Sequence, residues 1–159
     1  MPASETIPCE HYMDQYDWND ITNPPRAQWV KNPDKVRARL VYFMNELGAA
    51  VGNNIYISTG GHEAYNTSGH SSTSSHYVGR AVDFHVANLH PREVLEIIES
   101  MLASKGFTNS SGVGYYPSWN NIGFHIDLCR NGKLRWTQYV KGGGYTYGEI
   151  AVGKSYVNN

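Results

Sequence analysis

The residues of this chain best suited to chemistry are histidines and aspartates on two separate segments. The first, SSHYVGRAVDFHV, places His76 and Asp83 seven residues apart. The second, GFHIDL, carries His125 and Asp127. Two imidazoles and one carboxylate are a usual donor set for catalytic zinc, with a fourth position left for water. The pattern predicts a Zn²⁺ site formed by His76, Asp83 and His125.

Strand alternation explains how these side chains would meet. Strands over Ala81–Val86 and Gly123–Cys129 each alternate apolar residues with a second set that contains the candidate ligands. Side chains on alternate positions of a strand share a face. If the two strands are antiparallel neighbours, Asp83 and His125 converge in one cleft, and His76 folds over from the preceding loop. The alternative interpretation is a scatter of unrelated polar residues at a strand edge.

The elements that position this cleft follow from periodicity and turn signals. They indicate an α+β fold, a small antiparallel sheet with two main helices. In chain order we predict a helix from Asn32 to Gly48 or Gly52, a strand over Asn54–Ser58, a surface loop to Ser75, the strand Ala81–Val86, a helix over Pro91–Lys105, a loop over 107–122 and the strand Gly123–Cys129. The pair Asn131-Gly132 is a strong hairpin signal, so Lys133–Val140 is predicted to pair with the strand before it.

Composition divides the chain into three parts and excludes some functions. Residues 1–31 read as an irregular amino-terminal arm, 32–141 as the domain that carries the candidate zinc ligands, and 142–159 as a Gly/Tyr-rich tail. With 13 Lys and Arg against 14 Asp and Glu, the chain lacks the basic excess of a general nucleic-acid binder. The arm and tail are candidate contacts with virion proteins or with further copies of the chain.

The sequence also bears on location. No apolar run is long enough for a membrane span, and the first residues lack the basic and apolar regions of a signal peptide. These features predict a protein that is cytoplasmic until released, or virion-associated. The two cysteines, Cys9 and Cys129, are compatible either with one disulfide or with two separate thiols.

The quoted motifs resemble a known family. Ser74-x-His76-x-x-Gly79-x-Ala81-x-Asp83 is similar to the signature of zinc D-alanyl-D-alanine carboxypeptidase-like murein peptidases in the hedgehog/DD-peptidase superfamily, to which phage endolysins also belong. The distal segments GVGYYP, FHID and the Arg135-Trp136 pair resemble the second half of that family, and the likeness spans roughly residues 30–140.

The resemblance implies an activity and its cofactor. It implies a hedgehog/DD-peptidase-like fold, Zn²⁺ held by His76, Asp83 and His125, and hydrolysis of an amide bond in peptidoglycan stem peptides. Where many relatives carry an acidic residue three positions before the last ligand, this chain has Ile122, and where others carry a histidine two positions before it, this chain has Gly123.

Four further residues are candidates for roles at the cleft. Asp127 is the predicted general base, and the alternative is a hydrogen-bond partner that orients a ligand imidazole. His62 stands near the place where relatives often carry a carboxylate-binding Arg, and with Ser74 and Tyr115 it is a predicted substrate-binding residue. Two alternatives to a peptidase remain: a non-catalytic zinc-binding module that is structural or binds the cell wall, for example in a phage particle, and a structural domain without metal.

Overall fold

The computed structural model describes residues 1–58 and 79–152 and has an α+β architecture. Its sheet has six strands in the order β1-β2-β4-β3-β5-β6. All neighbouring strands are antiparallel except β3 and β5, which are parallel. The predicted α+β class with two helices is confirmed within the described residues, but the sheet is mixed. The elements are α1 (Ala38–Val51), β1 (Ile55–Ile57), β2 (Ala81–Val86), α2 (Pro91–Ser104), β3 (Ser111–Tyr116), β4 (Gly123–Leu128), β5 (Leu134–Thr137) and β6 (Thr146–Tyr147).

The first helix begins later than its sequence signals predict. Asn32 has a left-handed φ of 61°, and the next three residues form a single 3-10 turn before Val36 becomes extended. The carbonyl of Val36 accepts a hydrogen bond from the Met13 N–H at 3.0 Å. This contact with the arm keeps the segment out of the helix, so the predicted start at Asn32 was wrong. The end agrees with one predicted option, because Gly52 takes the left-handed conformation that closes α1.

A strand, β3, lies inside the segment predicted to be a loop. Its sequence, SGVGYY, contains two glycines, which weaken strand propensity. Because β3 and β2 occupy the two edges of β4, no edge is left there for β5. The hairpin predicted at Asn131-Gly132 was therefore wrong, and β5 pairs with β3 instead.

The two faces of the sheet carry different residues. One face belongs to a hydrophobic core that also contains the buried sides of α1 and α2. The other face carries Asp83, His125 and Asp127, which alternate with the core residues along β2 and β4. The sheet residues of the core are Ile55, Ile57, Val82, Phe84, Val113, Tyr115, Phe124, Ile126 and Leu128.

The amino-terminal arm is part of the same core. Ile7, Met13 and Trp29 are each 1% exposed. A disulfide joins Cys9 in the arm to Cys129 at the end of β4, with Cα atoms 5.9 Å apart. The tail contributes β6, which pairs with β5 at the edge of the sheet. Among the described residues, neither helix is long and apolar enough to cross a membrane.

Candidate metal centre

One row of paired residues crosses the sheet and organises the candidate site. Asp83 pairs with His125 across β2 and β4, as strand alternation predicts. His125 in turn pairs with Gly114, and Gly114 with Trp136. Tyr147 on β6 completes the row. Because paired residues project from the same face, these positions together define the polar face of the sheet.

The imidazole of His125 lies between two carboxylates. Its Nδ1 is 2.8 Å from Oδ1 of Asp83, and its Nε2 is 2.7 Å from Oδ2 of Asp127. All three side chains are buried, since His125 is 7%, Asp83 3% and Asp127 0% exposed. Buried hydrogen bonds to charged groups are stronger than those between neutral groups, so both the position and the orientation of the ring are fixed.

These contacts shift the protonation of the histidine and of its partner. Burial alone lowers the pKa of His125, but the hydrogen bonds to Asp127 and Asp83 outweigh it and raise that pKa to about 9. Burial raises the pKa of Asp127, yet the hydrogen bond and charge of His125, together with Arg130, lower it to about 2. The raised pKa of His125 favours a protonated ring between the two carboxylates, so a cation that binds Nδ1 must replace its proton.

Asp127 is held from its other side as well. Arg130 Nε lies 2.9 Å from Oδ1, and a terminal guanidinium nitrogen lies 3.1 Å from Oδ2. The carboxylate occupies the space over Gly112, where an added Cβ would lie well inside van der Waals contact of Asp127. Both carboxylate oxygens are thus engaged, an arrangement that suits the orientation of His125 better than proton transfer.

Aromatic side chains cover the remaining part of this face. The Trp136 indole lies over Gly114, where an added Cβ would come within 2.6 Å of it. The ring centroids of Trp136 and His125 are 4.7 Å apart. Tyr116 is 3% exposed, and burial first, then the charge of Asp83, raises the pKa of its phenol. Tyr116 therefore stays protonated near Asp83 and can donate a hydrogen bond.

The structure places only some of the predicted site residues. Asp83, His125 and Asp127 lie together, whereas His76, His62 and Ser74 fall outside the described residues. Tyr115 lies on the core face, fully buried and stacked on Phe124 with ring centroids 5.9 Å apart. Its position does not support the predicted contact with substrate, and its neighbour Tyr116 occupies the polar face instead.

Two residues of this face were missed by sequence reasoning. Arg130 was recoverable, since it lies three positions after Asp127 next to the predicted turn. The place of Trp136 depends on β3, which the sequence did not predict. The only signal for Trp136 was its place in the resemblance to the murein peptidases.

The donor atoms fit two positions of a zinc site. Asp83 and His125 offer a carboxylate and an imidazole side by side, which are common zinc ligands, and Asp127 behind the imidazole is the usual outer partner of a ligating histidine. In residues 1–58 and 79–152, no three His, Cys, Asp or Glu side chains form a group that could hold a metal ion. The site described here therefore needs a further donor, the position predicted for His76.

The chain was compared with family models, curated proteins and solved structures. No family model, no curated protein and no solved structure matches the chain.

Proposed function

We propose that this chain is a zinc-dependent peptidase that hydrolyses an amide bond in peptidoglycan stem peptides. The observation that carries the proposal is the pairing of Asp83 with His125, with Asp127 against the far nitrogen of the same imidazole. This pairing, which strand alternation predicts, supports the fold that the resemblance to the hedgehog/DD-peptidase superfamily implies. The proposed fold is therefore of that kind, with His76 as the third ligand.

Each described residue has a definite part in this proposal. Asp83 and His125 would hold the zinc ion, which when bound would supply a Lewis acid for the amide carbonyl and would lower the pKa of a water molecule to about 7. Asp127, fixed by Arg130, keeps the imidazole in the orientation that binding requires. The protonated phenol of Tyr116 donates a hydrogen bond to the carbonyl oxygen of the amide as negative charge develops on that atom. Oxyanion sites provide this kind of stabilisation.

A second candidate is a zinc-binding module without catalysis. One observation favours it: both oxygens of Asp127 are engaged by His125 and Arg130, so the predicted base is not free. Ile122 and Gly123 stand at the positions where relatives carry an acid or a histidine. In that case the chain would hold zinc and bind the wall without cleaving it.

One experiment separates these functions. The purified protein is analysed for bound zinc, then incubated with a soluble stem peptide while new amino groups are counted. A peptidase gives one zinc per chain and new amines, and both are lost in His125→Ala and Asp83→Ala. The matched control is His85→Ala. His85 lies two residues after Asp83 on the same face of β2 and pairs with Tyr56, so this variant is expected to bind zinc like wild type. Bound zinc without new amines would favour the binding module, and absence of zinc binding would overturn both.

A further inference from the structure

A continuous band of aromatic rings leads away from His125 to the edge of the sheet. Trp136 lies next to His125, Tyr145 stacks on Trp136 with ring centroids 5.6 Å apart, and Tyr147 follows at 6.2 Å. On the other side, Tyr116 contacts Tyr145 and stacks on Trp119 at 4.2 Å. We call this set the aromatic strip; its members are Tyr116, Trp119, Trp136, Tyr145 and Tyr147.

The strip is buried near His125 and open at its far end. Trp136 is 5% exposed, whereas Tyr145 is 45% and Tyr147 63% exposed. The inner ring of Trp136 is thus part of the folded protein, and the outer two side chains are partly open to solvent. Exposed aromatic patches that adjoin a site commonly mark binding surfaces.

The outer tyrosines are held in place by the backbone. β6 pairs with β5 through Trp136 with Tyr147 and Thr137 with Thr146, and the Gly148 N–H donates to the Arg135 carbonyl at 3.0 Å. Rings fixed before binding lose little conformational entropy when a ligand arrives. The strip is therefore preorganised as a platform.

The charges beside the strip disfavour nucleic acid as its ligand. Stacking platforms for single strands combine aromatic rings with free cations along the backbone path. Here Arg130 is paired with Asp127 and Lys133 with Glu149, each at 2.9 Å, and the chain has a net charge of -1. An uncharged polymer that stacks on rings and hydrogen-bonds to phenolic hydroxyls fits better.

We infer that the aromatic strip binds the glycan strand of peptidoglycan. Pyranose rings present a flat face of C–H groups that packs on an aromatic ring, and their hydroxyl and amide groups hydrogen-bond to tyrosine. The stem peptide is attached to this glycan as a branch. A glycan strand bound to the aromatic strip would therefore bring its peptide branch toward His125. The identity of the ligand rests on the proposed function, whereas the platform itself does not.

The test uses binding of a sugar without any peptide. A soluble β-1,4-linked N-acetylglucosamine hexamer is titrated into the full chain by calorimetry. We expect saturable binding that weakens about tenfold in Tyr145→Ala and in Tyr147→Ala, the loss expected for one aromatic contact. Tyr139→Ala, which removes another tyrosine of similar exposure, 43% against 45% for Tyr145, is the matched control and binds like wild type.

The outcomes separate this inference from the proposed function. Glycan binding that survives in His125→Ala supports the strip even if no amide bond is cut. Cleavage of a soluble stem peptide without glycan binding overturns the strip and leaves the peptidase standing. Equal binding by wild type and Tyr145→Ala also overturns it, as would sedimentation that finds a dimer which Tyr147→Ala dissociates.

Discussion

Asp83 and His125 face each other across β2 and β4, with Oδ1 and Nδ1 2.8 Å apart. The contact is buried and lies on the face opposite the hydrophobic core. A carboxylate and an imidazole in this relation form either a buried ion pair or two adjacent ligands of one metal ion. The distance fits both descriptions, and bound zinc would select the second.

Zinc is therefore expected to stabilise the folded chain. A ligand that binds only the folded state adds about 2.7 kcal/mol to the free energy of unfolding when its free concentration is 100 times its dissociation constant. We expect this gain in urea unfolding with zinc and its loss on chelation. Asp83→Ala should not respond to zinc. Magnesium, which prefers oxygen ligands in octahedral geometry, is the control ion, and equal stabilisation by both ions would contradict the imidazole-containing site.

The role of Asp127 is open to a direct test with Asp127→Asn. The amide keeps the shape and a hydrogen bond to His125 but loses the charge and part of the contact with Arg130. If Asp127 orients the ligand, zinc affinity falls about 10–100-fold, and turnover at saturating zinc is retained. Zinc affinity is measured by competition with a chromophoric chelator, and turnover by release of amines from a stem peptide.

Arg130→Gln provides the control for that experiment. It removes the bidentate contact with Asp127 but leaves the carboxylate against His125, so a smaller loss of zinc affinity is expected. If Asp127→Asn instead abolished turnover at saturating zinc without a change in affinity, Asp127 would be the general base that the sequence predicts.

The sequence predicted the pairing of Asp83 with His125 because strand alternation is a local property. In β2 and β4, apolar residues occupy every second position, so burial of that set forces the remaining side chains to the other face. Once the two strands are antiparallel neighbours in the register that pairs Asp83 with His125, these candidate ligands converge. This explains why the centre of the site was accessible to prediction.

The surroundings of the site were less predictable because they depend on β3. Gly112 and Gly114 lower the strand propensity of that segment, yet they are required there by Asp127 and Trp136, which lie over them. Because the sequence does not predict β3, alternation cannot assign Tyr115 and Tyr116 to opposite faces, and the predicted substrate contact falls on Tyr115, a core residue. Trp136 reaches His125 through the parallel pairing of β3 with β5. No feature of the local sequence predicts that these two strands pair.

Gly114→Ala tests whether the indole of Trp136 needs this space. An added Cβ would lie 2.6 Å from two ring atoms of Trp136, so the ring must move and crowd His125. Overpacking of this kind typically costs about 1–3 kcal/mol, measured as a fall in the free energy of unfolding. Gly144→Ala, where nothing lies within 4 Å of the added atom, should unfold like wild type. Equal stability of the two variants would mean that Trp136 is not held over Gly114.

The disulfide between Cys9 and Cys129 predicts a large effect on stability and a local effect on the arm. It spans 120 residues, and the chain-entropy model assigns about 4.7 kcal/mol to a loop of 100 residues, although about 2–4 kcal/mol is typical. We expect the double variant Cys9→Ser with Cys129→Ser to lose stability in that range in urea, and to lose hydrogen-exchange protection first around Met13. Reductant should destabilise wild type to a similar extent and leave the double variant unchanged. If reductant left the free energy of unfolding of the wild-type protein unchanged, the cross-link would be contradicted.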